Sequence, residues 1–410
     1  MKITTRTGIS ALMLGTALAL GTSVGALAAD KVVKIGVLND MSSLYMDIAG
    51  PGSVIAAQMA VEDSGLTKKG WTIDVVSADH QNKPDIGVNI VRRWIDTDKV
   101  DVISDVPTSS VALAVSNVVK EKNSILLDSG AGSSDLTNKQ CSPNTIHWTY
   151  DTYTLAHGTG TALTKAGGKT WYFLTADYAF GHALERDTTA AVEAAGGKVL
   201  GAVRHPLNTP DFSSFLLQAQ ASKANVVGLA NAGGDTINSI KQASEFGIVA
   251  GGQKLAGLLL FISDVHALGL QTAKGLNLTT TFYWDANDGT RAFSKRFQAR
   301  TKNHTMPTMV HAGVYSSLMH YFKALEALGG NPHDGAKVVA KMKEMPTDDA
   351  LFGKGSIEPN GRTIHPAYLY EVKAPSESKG PWDYYKLVAT IPANEAFTPL
   401  DKSPCPLLKK

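Results

Sequence analysis

Val32-Val33-Lys34-Ile35-Gly36-Val37-Leu38 is followed by a loop over 39–52 rich in Ser, Asp and Gly, and then by Ile55, Met59 and Ala60. The β-branched run reads as a strand, and the spacing of the later residues suits one buried face of a helix. The same step recurs downstream. Strands are expected at 71–77, 100–104 and 125–127, with helices at 85–96 and 110–120 between them. Strands that alternate with helices in this way make an α/β fold built on parallel sheets. Three small polar segments close these strands: 39–45 with Tyr45, 107–110 with Thr108, Ser109 and Ser110, and 129–134 with Gly130, Ala131 and Gly132. In an open α/β sheet ligands bind beyond the carboxyl ends of the strands, so these loops are expected to share one rim.

The rhythm breaks at His147-Trp148-Thr149-Tyr150 and then resumes. Strands are expected at 170–175, 198–203, 226–230, 255–260 and 276–284, with helices at 155–165, 180–195, 212–222 and 236–246. Helices over 288–302, 312–328 and 334–343 read as a return to the first lobe, and strands at 367–372 and 384–390 as belonging to the second. The expected organisation is residues 29–148 plus 286–346 for lobe 1, 149–285 plus 347–400 for lobe 2, and 401–410 as a tail. Several crossings between lobes suit a hinge.

Lys2 and Arg6, a short apolar stretch over 9–20 and Ala26-Leu27-Ala28 have the pattern of a cleavable signal peptide over 1–28. The mature chain is expected to begin at Ala29 or Asp30. The remaining length, about 380 residues, exceeds the roughly 100–200 of one ordinary domain. A hydrophobic content of 43%, a charged content of 19% and a net charge of +2 give no basic stripe for nucleic acid. Cys141 and Cys405, the two cysteines of an exported chain, are expected to pair and pin the tail; two free thiols are the alternative. No short-spaced Cys or His set suggests a metal, and no cofactor is expected. Nucleophile-elbow, zinc-protease and phosphate-loop motifs are missing. A hydrolase would have to recruit Ser109 with His147 and an aspartate.

The run 33–38, the turn Gly50-Pro51-Gly52 before Ala60-Val61-Glu62-Asp63, and Ala176-Asp177-Tyr178-Ala179-Phe180-Gly181 resemble the leucine/isoleucine/valine-binding type of periplasmic protein. Asp211-Phe212-Ser213-Ser214-Phe215 and Gln242-Ala243 before Phe246-Gly247 add to the likeness, which covers nearly the whole mature chain. The resemblance implies a type I periplasmic-binding-protein fold, two Rossmann-like lobes closing on a small ligand. It implies a periplasmic location and delivery to the permease subunits of an ATP-driven (ABC) importer. It also implies that Thr108, Ser109, Ser110, Gly130, Ala131 and Gly132 hold a ligand carboxylate. A sensor partner for a receptor or kinase is the alternative role.

Three positions depart from that family's pattern. Phe180 stands where a tyrosine is usual, Ala232 near the place of an aromatic residue, and 258–260 is apolar where an acid takes the ligand's ammonium. An unpaired ammonium in a dry cleft costs several kcal/mol, so an ordinary amino acid suits this chain poorly. Tyr45, Trp148, Tyr150, Tyr178 and Phe180 favour a flat ligand instead. Relatives that bind aromatic carboxylates are the best match; branched-chain or other amino acids and a larger quinone-like molecule are alternatives. Asp177, Asn231 and Asp235 follow second-lobe strands, where the two acids can accept from a ligand hydroxyl or cap a helix.

Overall fold

The computed structural model describes residues 31–408, together with residues 1 and 4. The expected signal peptide over 1–28 lies outside the described residues, apart from those two. The chain forms two parallel sheets of the same strand order. In lobe 1, β1 (Val32–Asn39), β2 (Thr72–Asp79), β3 (Val102–Ser104), β4 (Ile125–Asp128) and β5 (Thr145–His147) lie in the order β2-β1-β3-β4-β5, every pair parallel. The strands β3, β4 and β5 are buried throughout, while β2 is half exposed at the edge. Their composition follows: Val102-Ile103 and Ile125-Leu126-Leu127 are covered by helices on both faces, so no polar alternation survives.

In lobe 2, β6 (Thr170–Ala176), β7 (Lys198–His205), β8 (Val226–Ala230) and β9 (Lys254–Gly257) repeat the pattern in the order β7-β6-β8-β9. In each lobe the order reverses beside the first strand, β1 in one and β6 in the other. Loops leaving neighbouring strands there diverge to opposite faces and open a crevice. The architecture is thus the α/β fold with two Rossmann-like lobes that the sequence implies.

The chain leaves lobe 2 through β10 (Asn277–Thr280) and returns to lobe 1 through the helices Asp288–Gln298, Met309–Ala327 and Gly335–Glu344. Most of the helix Met309–Ala327 is buried, and its apolar residues share one core with Ala56, Ala57, Met59 and Ala60. At about 25 cal/mol per Å² of apolar surface, that burial outweighs the surface pairs Arg296–Asp63 and Arg300–Glu62, worth at most about 1 kcal/mol each. The cap of Asp288–Gln298 is Asn287, whose side chain accepts from the Thr290 N–H at 3.0 Å.

β11 (Thr347–Asp349), β12 (Gly353–Ile357) and β13 (Thr363–Ile364) form a small antiparallel sheet. This segment, expected with lobe 2, runs along the edge of the lobe 1 sheet: His147 of β5 pairs in parallel with Arg362, and Asn360 donates to the Thr137 carbonyl at 2.9 Å. β14 (Ala367–Val372) and β15 (Tyr385–Ile391) pair antiparallel with β10 in the order β10-β14-β15. Their Tyr370, Val372 and Tyr385 enter the lobe 2 core. Among the described residues no helix is long and apolar enough to cross a membrane.

Cys141 and Cys405 form a disulfide, with Cα atoms 5.6 Å apart and a separation of 264 positions in sequence. Ser403 donates to Asn138 at 2.8 Å beside it, so the tail is stitched to lobe 1. A bridge that closes so long a loop restricts the unfolded chain strongly. Replacing both cysteines by serine is expected to lower the unfolding free energy by about 2–4 kcal/mol in a denaturant titration; no change would show that the tail adds nothing to global stability.

Candidate functional site

The loops after β1, β3 and β4 face those after β6, β8 and β9. Between them lies a narrow cavity. Lobe 1 lines it with Tyr45, Ile48, Pro107, Gly130 and Gly132, and Tyr150 adds its ring from the first crossing. Lobe 2 contributes Tyr178, Phe180, Ala232 and Leu259. Among the described residues no charged side chain lines it.

Tyr45 is held by an acid at the end of β1. Asp40 accepts from the backbone N–H groups of Ser43 and Tyr45, at 2.9 and 2.8 Å, and from the Asn82 amide at 2.7 Å. Burial raises its carboxyl, but those hydrogen bonds outweigh burial and keep it below the usual carboxylate range. The Tyr45 hydroxyl thereby reaches across the cleft to the Tyr178 hydroxyl, 2.6 Å away. Burial, and then the neighbouring phenol, push Tyr45 well above its ordinary value; burial raises Tyr178 too, so both phenols keep their protons. One donates to the other, which leaves a second phenolic proton for an acceptor in the cavity.

Phe180 opens the helix Ala179–Ala194 and lies 6.1 Å from the Tyr178 ring. Its ring closes on Gly132 so tightly that a Cβ there would stand 2.6 Å from Phe180 Cε2. Further out, Gly234 donates to the Leu44 carbonyl at 3.3 Å, and Arg186 pairs with Asp135 at 3.1 Å. The lobes are closed on each other.

Behind the glycine rim stand two buried carboxyls. Asp128 Oδ1 accepts from the N–H groups of Gly130 and Ala131, at 3.1 and 3.0 Å. Asp105 Oδ2 accepts from Asn39 and Ser53, at 2.8 and 2.6 Å. Burial pushes Asp105 up to about 7 against the hydrogen bonds it accepts, and burial, with the Asp105 charge beside it, pushes Asp128 well above the carboxylate range. The Gly130 and Ala131 N–H groups, assigned to a ligand by resemblance, are therefore already engaged within lobe 1.

Of the residues singled out from sequence, Tyr45, Gly130, Gly132, Tyr150, Tyr178 and Phe180 share this cavity. The others lie elsewhere. Thr108 donates to Asn82, and Ser109 accepts from the Ser133 N–H at 3.1 Å; Ser110 follows it in the first turn of Ser109–Glu121. Ala131 gives its carbonyl to His147 Nε2 at 2.6 Å. Trp148 is core, donating to Ser316 at 3.0 Å beside the His320 ring. Asp177 is exposed and paired with His182. Asn231 bonds to Thr236 and His205 in the lobe 2 interior. Asp235 does not cap its own helix; it accepts from the Asn208 and Thr209 N–H groups, and burial raises it to about 6. Ser109 and His147 have different partners and make no nucleophile–base pair.

Ile48 carries no signal beyond hydrophobicity and was missed; Pro107 lies in the 107–110 segment expected on the rim. Ala232 and Leu259 sit at places where the chain departs from the resembling family, and both present apolar surface.

The description "periplasmic binding protein" fits the chain over residues 32–381. A periplasmic binding protein from Burkholderia mallei is 53% identical, with 92% of this chain and 100% of that one covered and a TM-score of 0.89. A branched-chain amino acid ABC transporter periplasmic ligand-binding protein from Burkholderia xenovorans is 40% identical, covering 92% and 100%, with a TM-score of 0.81. An ABC transporter solute-binding protein from Rhodopseudomonas palustris, in complex with benzoate, shares the fold at 21% identity, covering 92% and 99%, with a TM-score of 0.80. These are solute-binding proteins, and the resemblance drawn from the first strand and the second-lobe turn holds along the chain, which belongs to the periplasmic binding protein family.

Proposed function

We propose that the chain captures a small aromatic carboxylate between its lobes in the periplasm and delivers it to the permease of an ATP-driven importer. One observation carries this reading: the interlobe cavity is walled by Tyr45, Tyr150, Tyr178, Phe180 and Leu259 and has no lining carboxylate. Aromatic walls stack on a flat ring. A ligand ammonium closed in among them would lack a counter-charge and lose several kcal/mol. The spare proton of the Tyr45–Tyr178 pair suits an acceptor, and a charge-assisted bond to a carboxylate is the stronger kind. The fold accommodates such a molecule in the Rhodopseudomonas palustris protein with benzoate.

Closure then carries the signal. The ligand settles on lobe 1, lobe 2 swings in with Tyr178 and Phe180, and the closed surface is what the membrane partner reads. Export through a cleaved signal peptide puts the chain in the right compartment.

The direct test is a thermal shift of the mature protein with benzoate, 4-hydroxybenzoate and leucine, since a ligand of the folded state raises the melting temperature. The benzoates are expected to raise it and leucine not; a rise with leucine alone refutes the reading. Phe180→Ala is expected to weaken benzoate binding by about 1–3 kcal/mol, measured by calorimetry on the folded variant.

The carboxyls behind the rim set a pH dependence. Asp105 is raised to about 7, and a ligand anion placed against the rim favours its protonated form still more. Binding then takes up a proton, so affinity for benzoate is present below about pH 7 and is lost as pH rises through it. Asp105→Asn, which keeps an acceptor for Asn39 and Ser53, is expected to flatten the profile. Affinity that rises with pH would remove the ligand's carboxylate from the rim.

A further inference from the structure

β2 ends at Asp79, and the chain turns over 80–83 into the helix Pro84–Asp96. Within that turn Gln81 and Asn82 both stand in the left-handed region, at φ of 51° and 57°. Neither is glycine, so two consecutive positions carry a steric cost. His80 carries another. It is fully buried, and its Nδ1 accepts from the Asn82 N–H at 3.0 Å. Burial pushes the imidazole down to about 4, so the ring is neutral and its proton lies on Nε2, which has no hydrogen-bond partner. Costs of this kind persist only where the surrounding structure fixes them, and they gather where a side chain must be held in one place.

The side chain held here is the Asn82 amide. Its Nδ2 donates to Asp40 Oδ2 at 2.7 Å and to Ser43 Oγ at 3.1 Å, and its Oδ1 accepts from Thr108. One amide thus joins the loops that follow β1, β2 and β3. The other groups that donate to Asp40 are those of Ser42, Ser43 and Tyr45, all within its own loop. A further tie from this loop to β2, Ser42 to Asp79 at 2.7 Å, lies at the surface. Asn82 therefore fixes the carboxylate that holds the Tyr45 N–H. The position selects an amide: an aspartate could accept from Thr108 but would face Asp40 with like charge and no donor. Thr108, Asn82, Asp40 and Tyr45 all belong to lobe 1, so their arrangement does not wait for closure.

We propose that Asn82, which does not line the cavity, is a positioning residue of the ligand site: through Asp40 it holds the Tyr45 hydroxyl in place on lobe 1 before the lobes close. The inference rests on the reading of the interlobe cavity as the ligand site. A half-site built in advance spares the ligand the ordering of the loop.

Asn82→Gly removes the amide and adopts the left-handed turn without strain, so it is expected to fold. The first readout needs no ligand: hydrogen exchange of the mature protein, followed by mass spectrometry over residues 40–48. The variant is expected to exchange there about five to ten times faster, the scale of one net hydrogen bond, with β1, β3 and β4 unchanged. Unchanged exchange over 40–48, or faster exchange spread over all of lobe 1, overturns the proposal. The second readout is benzoate affinity by calorimetry in the wild type, Asn82→Gly, Tyr45→Phe and the double variant. Asn82→Gly is expected to weaken binding about fivefold in the wild type and less than twofold beside Tyr45→Phe, because a residue that acts through the Tyr45 hydroxyl loses its effect with it. Losses that simply add, or unchanged affinity in Asn82→Gly, overturn the role assigned to Asn82. Benzoate that fails to bind the wild type overturns the aromatic-acid reading instead, and exchange over 40–48 then decides by itself whether Asn82 holds Tyr45.

Discussion

Gly132 and Phe180 are in contact across the cleft at a distance no side chain at residue 132 would permit. The other interlobe contacts depend on that approach. It accompanies the meeting of the Tyr178 and Tyr45 hydroxyls, 2.6 Å apart, on the same cavity. Water excluded by the two apolar faces strengthens every polar contact left inside, because the local dielectric falls. A glycine in the lobe 1 rim and an aromatic ring on a lobe 2 helix therefore act as one device. The ring supplies apolar area, and the missing Cβ lets that area be buried.

The hinge is organised around a buried cation. Arg362 is 2% exposed, donates to the Tyr150 carbonyl at 3.0 Å and the Thr363 carbonyl at 3.1 Å, and lies 4.6 Å over the Phe397 ring. Asp151 and Asp128 supply negative charge nearby; burial lowers the guanidinium only to about 10, so it stays charged at neutral pH. A buried charge of this kind contributes little net stability, but removing its partners is costly. Its effect is positional: it ties the last crossing to the first at the residue before Asp151, where the Tyr150 ring joins the ligand cavity.

The sheets were legible because parallel strands are written as short β-branched runs between amphipathic helices. Val33 to Leu38, Val102 to Ser104 and Val226 to Ala230 all read this way. The cavity was legible where position after a strand decides orientation, as for Tyr45, Gly130, Tyr178 and Phe180. It was not legible where hydrogen-bond bookkeeping decides. Thr108 looks like a free hydroxyl at a helix start, yet Asn82, 26 residues away, takes its proton. Trp148 stands two residues from Tyr150, but Ser316, from a helix 168 residues later, draws its indole into the core. Arg362 gives no local sign of its role, since its partner Tyr150 is 212 residues away.

The two acids behind the rim change how the cleft must be understood. Family resemblance offers the N–H groups of Gly130 and Ala131 to a ligand carboxylate, but Asp128 already accepts from both. A ligand anion cannot take those donors without displacing a buried carboxyl, which would then lose its only two hydrogen bonds among the described contacts. Donors for the ligand must come from groups still free to give them. The second phenolic proton of Tyr45 and Tyr178 is one such group, and it stands beside its partner phenol only when the lobes are shut. Recognition and closure are then a single event: the open protein lacks the paired phenols, and the shut one presents them together.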